Sequence, residues 1–475
     1  MGNKTRFNNT IYMMGAFIML FLISCEPASQ EQTETDQRHG LPKLKISDNQ
    51  RFFATESGEP FFWLGDTAWL LFGKLDREET EKYLDDRKEK GFNIIQIMTL
   101  HTVGAVNAYG DSALVNQDVA RPLTTEGTDY GDGDAYDFWD HVDFVIDKAE
   151  ERGIYVAMVP IWGSNVRAGH VDRDQVEIYG KFLSDRYGNR NHIVWLNGGD
   201  VPGSDSTEVW NRLGETLRAN NPDQLITFHP RGRTQSSDWF ADEDWMDFHM
   251  FQSGHRRYDQ DDTEKAYGED NWRYVKADYD LDRRMPTLDG EPSYEGIPIG
   301  LHDPKEGFWD DNAVRRYGYW SVFAGAAGYT YGHSAIMQMH RPIDETGAYG
   351  NEMYWTEALD APGASQMIHL KNLMLDFDYF DREPAQELVA NQGERYDYLV
   401  ATKGKGYALI YTYTGRDIAI NMDELGRNEV EAKWFNPRTG EYSNIGRMSG
   451  DRVQEFKPDG EEQDGNDWVL VLTYE

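Results

Sequence analysis

Short apolar runs alternate with amphipathic segments from residue 60 to residue 331, and this alternation constrains the fold more than any other feature of the sequence. Short apolar runs bounded by polar or glycine-containing segments are typical of buried β-strands. Eight such runs predict strands at 60–65, 92–100, 154–162, 192–197, 225–229, 246–252, 285–289 and 328–331. The segments between them predict helices at 77–91, 138–153, 175–187, 208–220, 272–282 and 313–323, and a last helix follows at 367–377.

Eight successive β–α pairs predict an α/β fold, a (β/α)8 TIM barrel over residues 44–382. The alternative is a doubly wound open sheet, which often carries a glycine-rich phosphate loop after its first strand. Here the first strand runs into Gly65-Asp66-Thr67-Ala68-Trp69, which is not such a loop. We therefore favour the barrel.

The pattern changes after residue 382. Short alternating runs at 396–402, 407–413, 429–435 and 468–474 are separated by glycine, asparagine and aspartate, which favour turns. This pattern predicts a small all-β domain over residues 383–475, a β-sandwich that packs on the barrel as an accessory.

The amino terminus has the organisation of an export signal. Lys4 and Arg6 precede an apolar run at residues 11–24, which is too short for a stable membrane span. The run ends in Leu22-Ile23-Ser24-Cys25, which resembles a bacterial lipobox, in which the cysteine becomes the lipidated first residue of the mature chain. An ordinary signal peptide with an incidental cysteine is the alternative.

We expect residues 1–25 to be a lipoprotein signal peptide and residues 26–43, which are rich in polar side chains, to be a flexible tether. The predicted location is that of an exported bacterial lipoprotein, held by its lipid to the outer membrane and facing either the cell surface or the periplasm. Cys25 is the only cysteine in the chain, so no internal disulfide is possible and the fold depends on its core.

The charge balance narrows the choice of partners. The chain carries 83 acidic against 47 basic residues, a formal net charge of −36 at pH 7. Nucleic-acid binding needs a basic surface that neutralises phosphates, so we expect no nucleic-acid partner. Aromatic residues make up 13% of the chain, and an acidic globular protein rich in flat aromatic faces is suited to neutral sugars.

In a (β/α)8 barrel, functional side chains come from the carboxyl ends of the strands. The polar and aromatic side chains that follow the eight predicted strands are, in chain order, Asp66 and Trp69; His101 and Thr102; Trp162; Asn197 and Asp200; His229 and Arg231; Gln252 and His255; Asp289, Glu291 and Glu295; Tyr331 and His333.

Two carboxylates, Asp200 and Glu291, follow the fourth and seventh strands. These strands stand on opposite sides of a barrel, so side chains that lean inward approach to about 5 Å, the separation that a retaining glycosidase needs. In such an enzyme one carboxyl group protonates the leaving oxygen and the other attacks the anomeric carbon. The alternative is structural: Asp200 caps a helix and Glu291 pairs with an arginine.

The other strand-end side chains suit a sugar pocket. Polar groups for sugar hydroxyls come from Asp66, His101, Asn197, His229, Arg231, Gln252 and His333, and flat faces for stacking come from Trp69, Trp162 and Tyr294. No His-x-x-x-His or His-Glu-x-x-His zinc spacing occurs, and the acidic run from Asp129 to Asp137 lacks the spacing of a helix–loop–helix calcium site. We expect neither a metal nor a cofactor.

Three stretches, PFFWLGDTAW, HIVWLNGGD and PTLDGEPSYEGI, resemble the apiosidase-like glycoside hydrolases, family 140. The resemblance covers residues 44–375 and implies a barrel of the clan-A type, with the acid/base after strand four and the nucleophile after strand seven. In this chain it assigns Asp200 as the acid/base, where clan members more often have glutamate. It places the nucleophile in GEPSYE, as Glu291 at the strand end with Glu295 as the fallback.

The resemblance also implies a substrate. Relatives act on apiose linkages in the branched pectin rhamnogalacturonan II, and the carboxy-terminal segment resembles a small domain named for collagen binding. We therefore expect a retaining glycosidase that cleaves an apiose or related pentose linkage in plant pectic side chains. The alternatives are the same chemistry on another glycan, such as an arabinofuranoside, and a glycan-binding surface lipoprotein without catalysis.

Replacing Cys25 with alanine should release the protein from the membrane, because the predicted lipid attachment site is lost. Fractionation of cells that produce the wild type and Cys25→Ala, with mass spectrometry of the mature amino terminus, checks this. Ser24→Ala is the matched control and should remain with the membrane. A Cys25→Ala protein in the membrane fraction, or a wild type without lipid, contradicts the prediction.

Overall fold

The structure, a computed structural model, describes residues 40–301 and 304–475. The predicted signal peptide, the lipidation site Cys25 and most of the predicted tether lie outside these residues. The described part begins with a three-stranded antiparallel sheet that the sequence analysis did not predict: β1 (Leu44–Ile46), β2 (Phe53–Thr55) and β3 (Pro60–Phe61).

This small sheet closes the amino-terminal end of the barrel. Phe53 is fully buried, and its ring lies 5.7 Å from the ring of Trp63 and 5.0 Å from that of Phe248. Trp63 begins the first barrel strand and Phe248 immediately precedes the sixth, so both mark the end of the barrel opposite the strand carboxyl ends. These hydrophobic contacts close the barrel at the amino-terminal ends of its strands.

Eight parallel strands form the barrel. They are β4 (Trp63–Thr67), β5 (Ile94–Leu100), β6 (Tyr155–Ile161), β7 (Ile193–Val201), β8 (Ile226–Pro230), β10 (His249–Gln252), β11 (Thr287–Asp289) and β12 (Gly328–Tyr331), with β9 (Thr234–Gln235) antiparallel to β10. Their hydrogen-bonded order is β8-β7-β6-β5-β4-β12-β11-β10-β9. At the remaining seam the backbone N–H of Asp247 donates to the carbonyl of Ile226 at 2.9 Å, which brings the β10 segment against β8.

Helices surround this barrel. Their bounds are α1 (Leu71–Lys74), α2 (Arg77–Glu89), α3 (Phe138–Glu151), α4 (Gly163–Arg167), α5 (Arg173–Tyr187), α6 (Thr207–Asn220), α7 (Ser237–Phe240), α8 (Trp272–Tyr279), α9 (Asp311–Phe323), α10 (Ser334–Met337), α11 (Trp355–Ala358) and α12 (Pro362–Leu375).

Local sequence signals explain where the longer helices begin and end. Asp76, Asp137 and Asp172 precede α2, α3 and α5, and each accepts hydrogen bonds from the first-turn N–H groups in a capping box. Gly91 and Gly153 follow α2 and α3 with φ of 80° and 76°, the left-handed conformation that terminates helices. Both glycines mark helix ends that the sequence predicts.

The barrel prediction is confirmed, with one correction at its first strand. The apolar run at 60–65 is not one strand: its first two residues belong to β3, and the barrel strand β4 begins at Trp63 and continues to Thr67. All five residues of β4 are buried, as expected for a parallel strand covered on both faces. Continuous hydrophobicity therefore concealed the break between the two elements.

The carboxy-terminal domain is all-antiparallel β. Its strands are β13 (Glu383–Pro384), β14 (Val400–Gly404), β15 (Tyr407–Thr412), β16 (Ile418–Asn421), β17 (Glu429–Phe435), β18 (Tyr442–Ser449), β19 (Val453–Phe456) and β20 (Trp468–Thr473). Six of them form one sheet in the order β13-β14-β15-β20-β17-β18, and β16 pairs with β19. The sequence predicted four of these eight strands; it missed β18 because that strand is largely exposed and polar.

Both faces of the six-stranded sheet are buried along its central strands β15 and β20. One face shares a hydrophobic core with β16 and β19, and the other joins the core of the barrel. On the barrel side Tyr319 of α9 stacks on Tyr411 with 4.8 Å between ring centroids, and Trp272 of α8 stacks on Tyr398 at 4.1 Å. The domain therefore covers barrel surface that would otherwise be apolar and exposed.

A buried ion pair fixes this contact. The guanidinium of Arg315 in α9 donates from Nε and Nη2 to the two carboxylate oxygens of Asp467, at 2.9 and 3.0 Å, and both side chains are fully buried. Asp311 also accepts from Arg315 at 2.6 Å.

No helix in the described part of the chain is long and apolar enough to span a membrane.

Asp467→Asn should lower the free energy of unfolding by about 3 kcal/mol, because breaking a buried pair leaves a buried charge undercompensated. We expect the lower end of the usual range, since Asp311 still pairs with Arg315. Glu429→Gln is the matched control: it removes an exposed pair with Arg447 and should cost less than about 1 kcal/mol. Guanidinium unfolding of the full chain checks both, and equal stabilities of the two variants would contradict the account.

Candidate active site

The end of β7 carries a backbone bulge that presents Asp200. Gly198, Gly199 and Asp200 have φ of 91°, 112° and 51°, and the register with β8 shifts between Gly198 and Val201. A Cβ on Gly198 would lie 2.6 Å from the ring of Phe228, and one on Gly199 would lie 2.5 Å from the ring of Trp162. Only glycine fits both positions, so the sequence Gly-Gly before the aspartate is a steric requirement of this turn.

Asn197 anchors this bulge to α6 through a hydrogen bond of its side chain. Its side-chain amide donates to the carbonyl of Trp210 in α6 at 2.8 Å, and its Oδ1 accepts from the backbone N–H of Gly198 at 3.1 Å. The side chain is fully buried and faces the helix layer. The prediction that Asn197 contacts substrate is not supported by this placement; the residue holds the turn that carries Asp200.

Glu291 follows β11 and lies between two histidines. Its Oε1 accepts from Nε2 of His255 at 3.2 Å, and its Oε2 lies 3.2 Å from Nε2 of His229. Burial alone would raise the pKa of Glu291, but the close approach of His229, the hydrogen bond with His255 and the charges of both outweigh burial and lower the pKa to about 2. Glu291 is therefore an ionised carboxylate held in a largely buried setting.

The pKa of Asp200 is shifted in the opposite direction from that of Glu291. Its side chain is exposed at the barrel mouth, yet the surrounding protein and the charge of Glu291 raise the pKa of Asp200 above its usual value. His229 and the backbone N–H of Gly232 act in the other direction without reversing the shift. One mouth thus holds two interacting carboxyl groups whose environments push their pKa values apart.

Aromatic side chains enclose this pair. The indole of Trp69 lies 5.3 Å from the rings of both Trp162 and His229, and its Nε1 donates to the hydroxyl of Tyr294 at 3.0 Å. Burial and the charge of Glu291, which accepts a hydrogen bond from the Tyr294 hydroxyl, raise the pKa of Tyr294. Trp69, Trp162, His229 and Tyr294 are thus brought together around Glu291, as the strand-end argument expected.

Three further predicted residues stand at the rim. His101 and Arg231 are exposed after β5 and β8. Gln252 ends β10 and is 4% exposed, and its Oε1 has no hydrogen-bond partner among the described residues. A buried amide oxygen without a partner is a group that a ligand hydroxyl can satisfy, so Gln252 keeps its place among the predicted sugar contacts.

Two predicted residues make hydrogen bonds to helices of the protein itself. Asp66 is fully buried and accepts from the hydroxyl of Tyr83 at 2.6 Å and from Arg87 at 3.3 Å, both on α2. His333 caps α10 by accepting from the N–H of Ala335 at 3.0 Å, and burial lowers the pKa of His333 to about 3. The predicted substrate contacts of Asp66 and His333 are not supported, because both side chains are committed to the helix layer.

Glu295 is also committed elsewhere. Its carboxylate accepts from the hydroxyl of Tyr331 at 2.7 Å and from the backbone N–H of Gly363 in α12 at 3.1 Å. A Cβ on Gly363 would lie 2.5 Å from Glu295 Oε2, so the carboxylate sits directly on the first turn of α12. Burial raises the pKa of Glu295 to about 7. The described contacts tie Glu295 to the barrel wall and leave Glu291 beside Asp200.

Two residues of the site were given no catalytic or sugar-binding role from the sequence, although His255 was named after the sixth strand. His255 follows strand six, but nothing in the sequence signals its contact with Glu291. Tyr349 lies far beyond the eighth strand, in a loop with φ of 58°, and its ring is 40% exposed. Burial and the charges of Glu291 and Asp200 raise the pKa of Tyr349.

Within residues 40–301 and 304–475, no group of three or more histidine, cysteine or carboxylate side chains is arranged to hold a metal ion. The ionisable groups brought together at the mouth are Asp200, Glu291 and the histidines beside them. Two carboxyl groups at the ends of the fourth and seventh strands of a (β/α)8 barrel form an arrangement suited to glycosidic bond cleavage.

Comparison with known proteins identifies the family. The model described as "Apiosidase-like, catalytic domain" matches residues 47–381, which is more than half of the chain. This chain belongs to the apiosidase-like family. The model described as "Putative collagen-binding domain of a collagenase" matches residues 384–473. A search of curated proteins finds no match.

Solved structures support the assignment of this apiosidase-like chain as a glycoside hydrolase. One, described as a glycoside hydrolase, is 42% identical, with a TM-score of 0.85, and the alignment covers 91% of this chain and 97% of the other. A second, described as a glycoside hydrolase family 5 protein from Bacteroides vulgatus, is also 42% identical with a TM-score of 0.85, covering 91% of this chain and 93% of the other.

Glu295 makes the stability of the barrel depend on pH in a defined direction. Its pKa is about 7 in the fold, whereas a glutamate in an unfolded chain titrates near about 4.3. Between these values the folded state keeps a proton that the unfolded state has released, so the free energy of unfolding falls as pH rises.

Glu295→Gln removes this titration. Relative to the wild type, the variant should therefore gain up to about 3 kcal/mol of stability between about pH 4.5 and pH 8. Denaturant unfolding of both proteins at the two pH values measures the difference. If the free energies of unfolding of variant and wild type differ by the same amount at both pH values, Glu295 is ionised in the fold.

Proposed function

We propose that this chain is a retaining glycosidase in which Asp200 is the acid/base and Glu291 is the nucleophile. The observation that supports it most strongly is the opposite direction of the two pKa shifts at one barrel mouth. His229 and His255 lower the pKa of Glu291, whereas burial and the charge of Glu291 raise the pKa of Asp200. A nucleophile must be ionised and an acid must hold its proton before the bond breaks.

In the first step an oxygen of Glu291 attacks the anomeric carbon of the sugar. The bond between that carbon and the leaving oxygen breaks, and Asp200 transfers its proton to the leaving oxygen. The product is a glycosyl ester of Glu291 and a free alcohol. Because Glu291 donated its electron pair, its negative charge is gone, and the part of the rise in the pKa of Asp200 that this charge caused is removed.

In the second step Asp200, now ionised, takes a proton from a water molecule whose oxygen attacks the same carbon. The ester bond breaks, Glu291 regains its charge, and the sugar leaves with its original configuration. An ionised carboxylate can only accept hydrogen bonds, so Nε2 of His255 carries the proton in its contact with Glu291 at 3.2 Å. His255 can therefore donate a hydrogen bond to Glu291 both as the free carboxylate and as the glycosyl ester. The Tyr294 hydroxyl, donating to Glu291, acts in the same way.

The proposed substrate is an apiose or related pentose linkage in the side chains of a plant pectic polysaccharide, rhamnogalacturonan II. Membership of the apiosidase-like family supports this choice, and Trp69 and Trp162 supply apolar ring surfaces beside Glu291. A retaining glycosidase of other specificity, such as an arabinofuranosidase, is the second candidate. A surface protein that only binds glycans is disfavoured, because such a protein has no need of two carboxylates with opposed pKa shifts.

The proposed cellular setting follows from the Leu22-Ile23-Ser24-Cys25 motif. We infer an exported lipoprotein whose barrel is held near the membrane, at the cell surface or in the periplasm, and whose partners are the membrane lipid and a plant oligosaccharide. The strongly acidic net charge of −36 supports the absence of a nucleic-acid partner.

Removing either carboxylate should reduce hydrolysis of a pectic oligosaccharide on the order of 10³-fold or more. The two variants should differ in their activity on a substrate with a good leaving group. Asp200→Ala should keep its activity on an aryl glycoside with a good leaving group, which needs no proton. Glu291→Ala should lose that activity, and added azide should restore turnover as a glycosyl azide of inverted configuration. Product analysis by NMR distinguishes these outcomes.

Glu295→Gln is the matched control for Glu291→Gln, because both change a glutamate four residues apart at the same strand end. We expect Glu295→Gln to retain hydrolysis and Glu291→Gln to lose it. The reverse result would make Glu295 the nucleophile. If both variants stay active, the assignment of the nucleophile to strand seven fails. If instead the wild type itself hydrolyses no pectic fraction, the glycan-binding alternative gains support.

A further inference from the structure

The segment that carries His255 is anchored three residues further on, at Tyr258. The backbone N–H of Tyr258 donates to Oε1 of Glu269 at 3.2 Å, and the hydroxyl of Tyr258 donates to Asp270. Gly268 has φ of 59°, and a Cβ at this position would clash with the ring of Tyr258, so the two backbone segments approach closely. The position of the His255 segment therefore depends on Glu269 and Asp270.

Glu269 is a buried carboxylate whose other oxygen is held in part by the carboxy-terminal domain. It is 2% exposed, and its Oε2 accepts from Nη2 of Arg316 in α9 at 2.8 Å. The same oxygen accepts from the hydroxyl of Tyr396 at 2.8 Å. Tyr396 lies between β13 and β14 of the carboxy-terminal domain. A buried ion pair is favourable only when further hydrogen bonds satisfy its polar atoms, and Tyr396 supplies one of them.

A second anchor of His255 also lies beside Arg316. The carbonyl of His255 accepts from Nε1 of Trp309 at 3.0 Å and from the backbone N–H of Gly300 at 3.2 Å. The ring centroid of Trp309 lies 5.9 Å from the guanidinium carbon of Arg316. Because Arg316 also pairs with Glu269, this one arginine adjoins both anchors of the His255 segment.

Aromatic side chains of the carboxy-terminal domain cover Arg316. Its guanidinium carbon lies 4.4 Å from the ring centroid of Tyr396 and 5.2 Å from that of Tyr413. Arg316 is 1% exposed, and Tyr396 also packs against Tyr258, with 5.8 Å between ring centroids. A guanidinium removed from water is stabilised by its carboxylate partner and by the faces of such rings. The carboxy-terminal domain therefore completes the structure that holds the His255 segment.

The placement of His255 matters because this side chain contacts the proposed nucleophile. Nε2 of His255 lies 3.2 Å from Oε1 of Glu291, which is the upper end of the usual range for a hydrogen bond. Further separation would weaken the bond and with it the orientation of the Glu291 carboxylate. Catalytic groups must be held within about 0.5 Å of their productive positions by the residues packed behind them.

We propose that Tyr396 is a positioning residue that, through Glu269, holds His255 in its contact with the nucleophile. The inference rests on the proposed glycosidase function. It makes the carboxy-terminal domain a part of the catalytic unit, in addition to covering apolar surface of the barrel. Tyr396 acts through the segment that runs from His255 to Tyr258 and not by contact with the substrate.

Tyr396→Phe tests this role, because it removes the hydroxyl that donates to Glu269 and keeps the ring. The variant should lower kcat/KM for an aryl glycoside about tenfold. Tyr411→Phe is the matched control: it removes another buried tyrosine hydroxyl of the same domain, which donates to Asp467 at 3.2 Å. Tyr411→Phe should hydrolyse the aryl glycoside as the wild type does.

A double-mutant cycle determines whether the effect depends on His255. His255→Ala removes the side chain that Tyr396 is proposed to position, so adding Tyr396→Phe to it should lower kcat/KM by less than about twofold more. ¹³C NMR of the full chain with labelled histidine rings gives a second measurement that needs no activity. The signal of His255, identified by its absence from His255→Ala, should shift in Tyr396→Phe and stay unchanged in Tyr411→Phe.

The inference is overturned if the His255 signal is the same in Tyr396→Phe and the wild type, or if the signal shifts without a loss of rate in an active enzyme. It is also overturned if the losses from Tyr396→Phe and His255→Ala multiply in the double variant, or if Tyr411→Phe loses as much rate as Tyr396→Phe.

The NMR measurement separates this inference from the proposed function. A shifted His255 signal in a protein whose wild type hydrolyses no glycoside supports the placement of His255 by Tyr396 and removes the glycosidase assignment. Hydrolysis by the wild type together with an unchanged His255 signal in Tyr396→Phe supports the glycosidase and removes the positioning role.

Discussion

The position of Glu291 between His229 and His255 is the interaction on which the mouth of the barrel depends. A glutamate that is 7% exposed would ordinarily be protonated, because burial disfavours the charged form. Two imidazole nitrogens at 3.2 Å reverse that tendency. Burial and the charge of Glu291 in turn raise the pKa of Asp200 across the mouth, so this arrangement influences the pKa values of both carboxyl groups.

The scaffold supplies the precision that this pairing needs. β7, β8, β10 and β11 all contribute to it: Asp200 and His229 lie near the ends of β7 and β8, and His255 and Glu291 follow β10 and β11. Parallel strands in a closed barrel end at one rim, which brings together residues far apart in the sequence. The bulge at Gly198 and Gly199 then turns Asp200 toward the mouth, and Asn197 anchors that bulge to the carbonyl of Trp210.

Much of this was predictable from the sequence. The alternation of apolar runs and helical patterns gave the barrel, Gly91 and Gly153 marked two helix ends, and strand-end reasoning located Glu291 beside His229 and Trp69. Side-chain direction was not predictable. Successive strand residues point to opposite faces, and only the register of β4 and β7 shows that Asp66 and Asn197 face the helices. The cap made by His333 and the approach of Tyr349 depend on loops whose path no local pattern specifies.

The account's central claim is that Glu291 forms a covalent bond to the sugar. The most direct measurement incubates the wild type with a 2-fluoro glycoside of the released sugar, which slows breakdown of the intermediate, and maps the modified peptide by mass spectrometry. The account predicts a single glycosyl adduct on Glu291. An adduct on Glu295 or another residue, or hydrolysis with inverted configuration and no adduct, would contradict it.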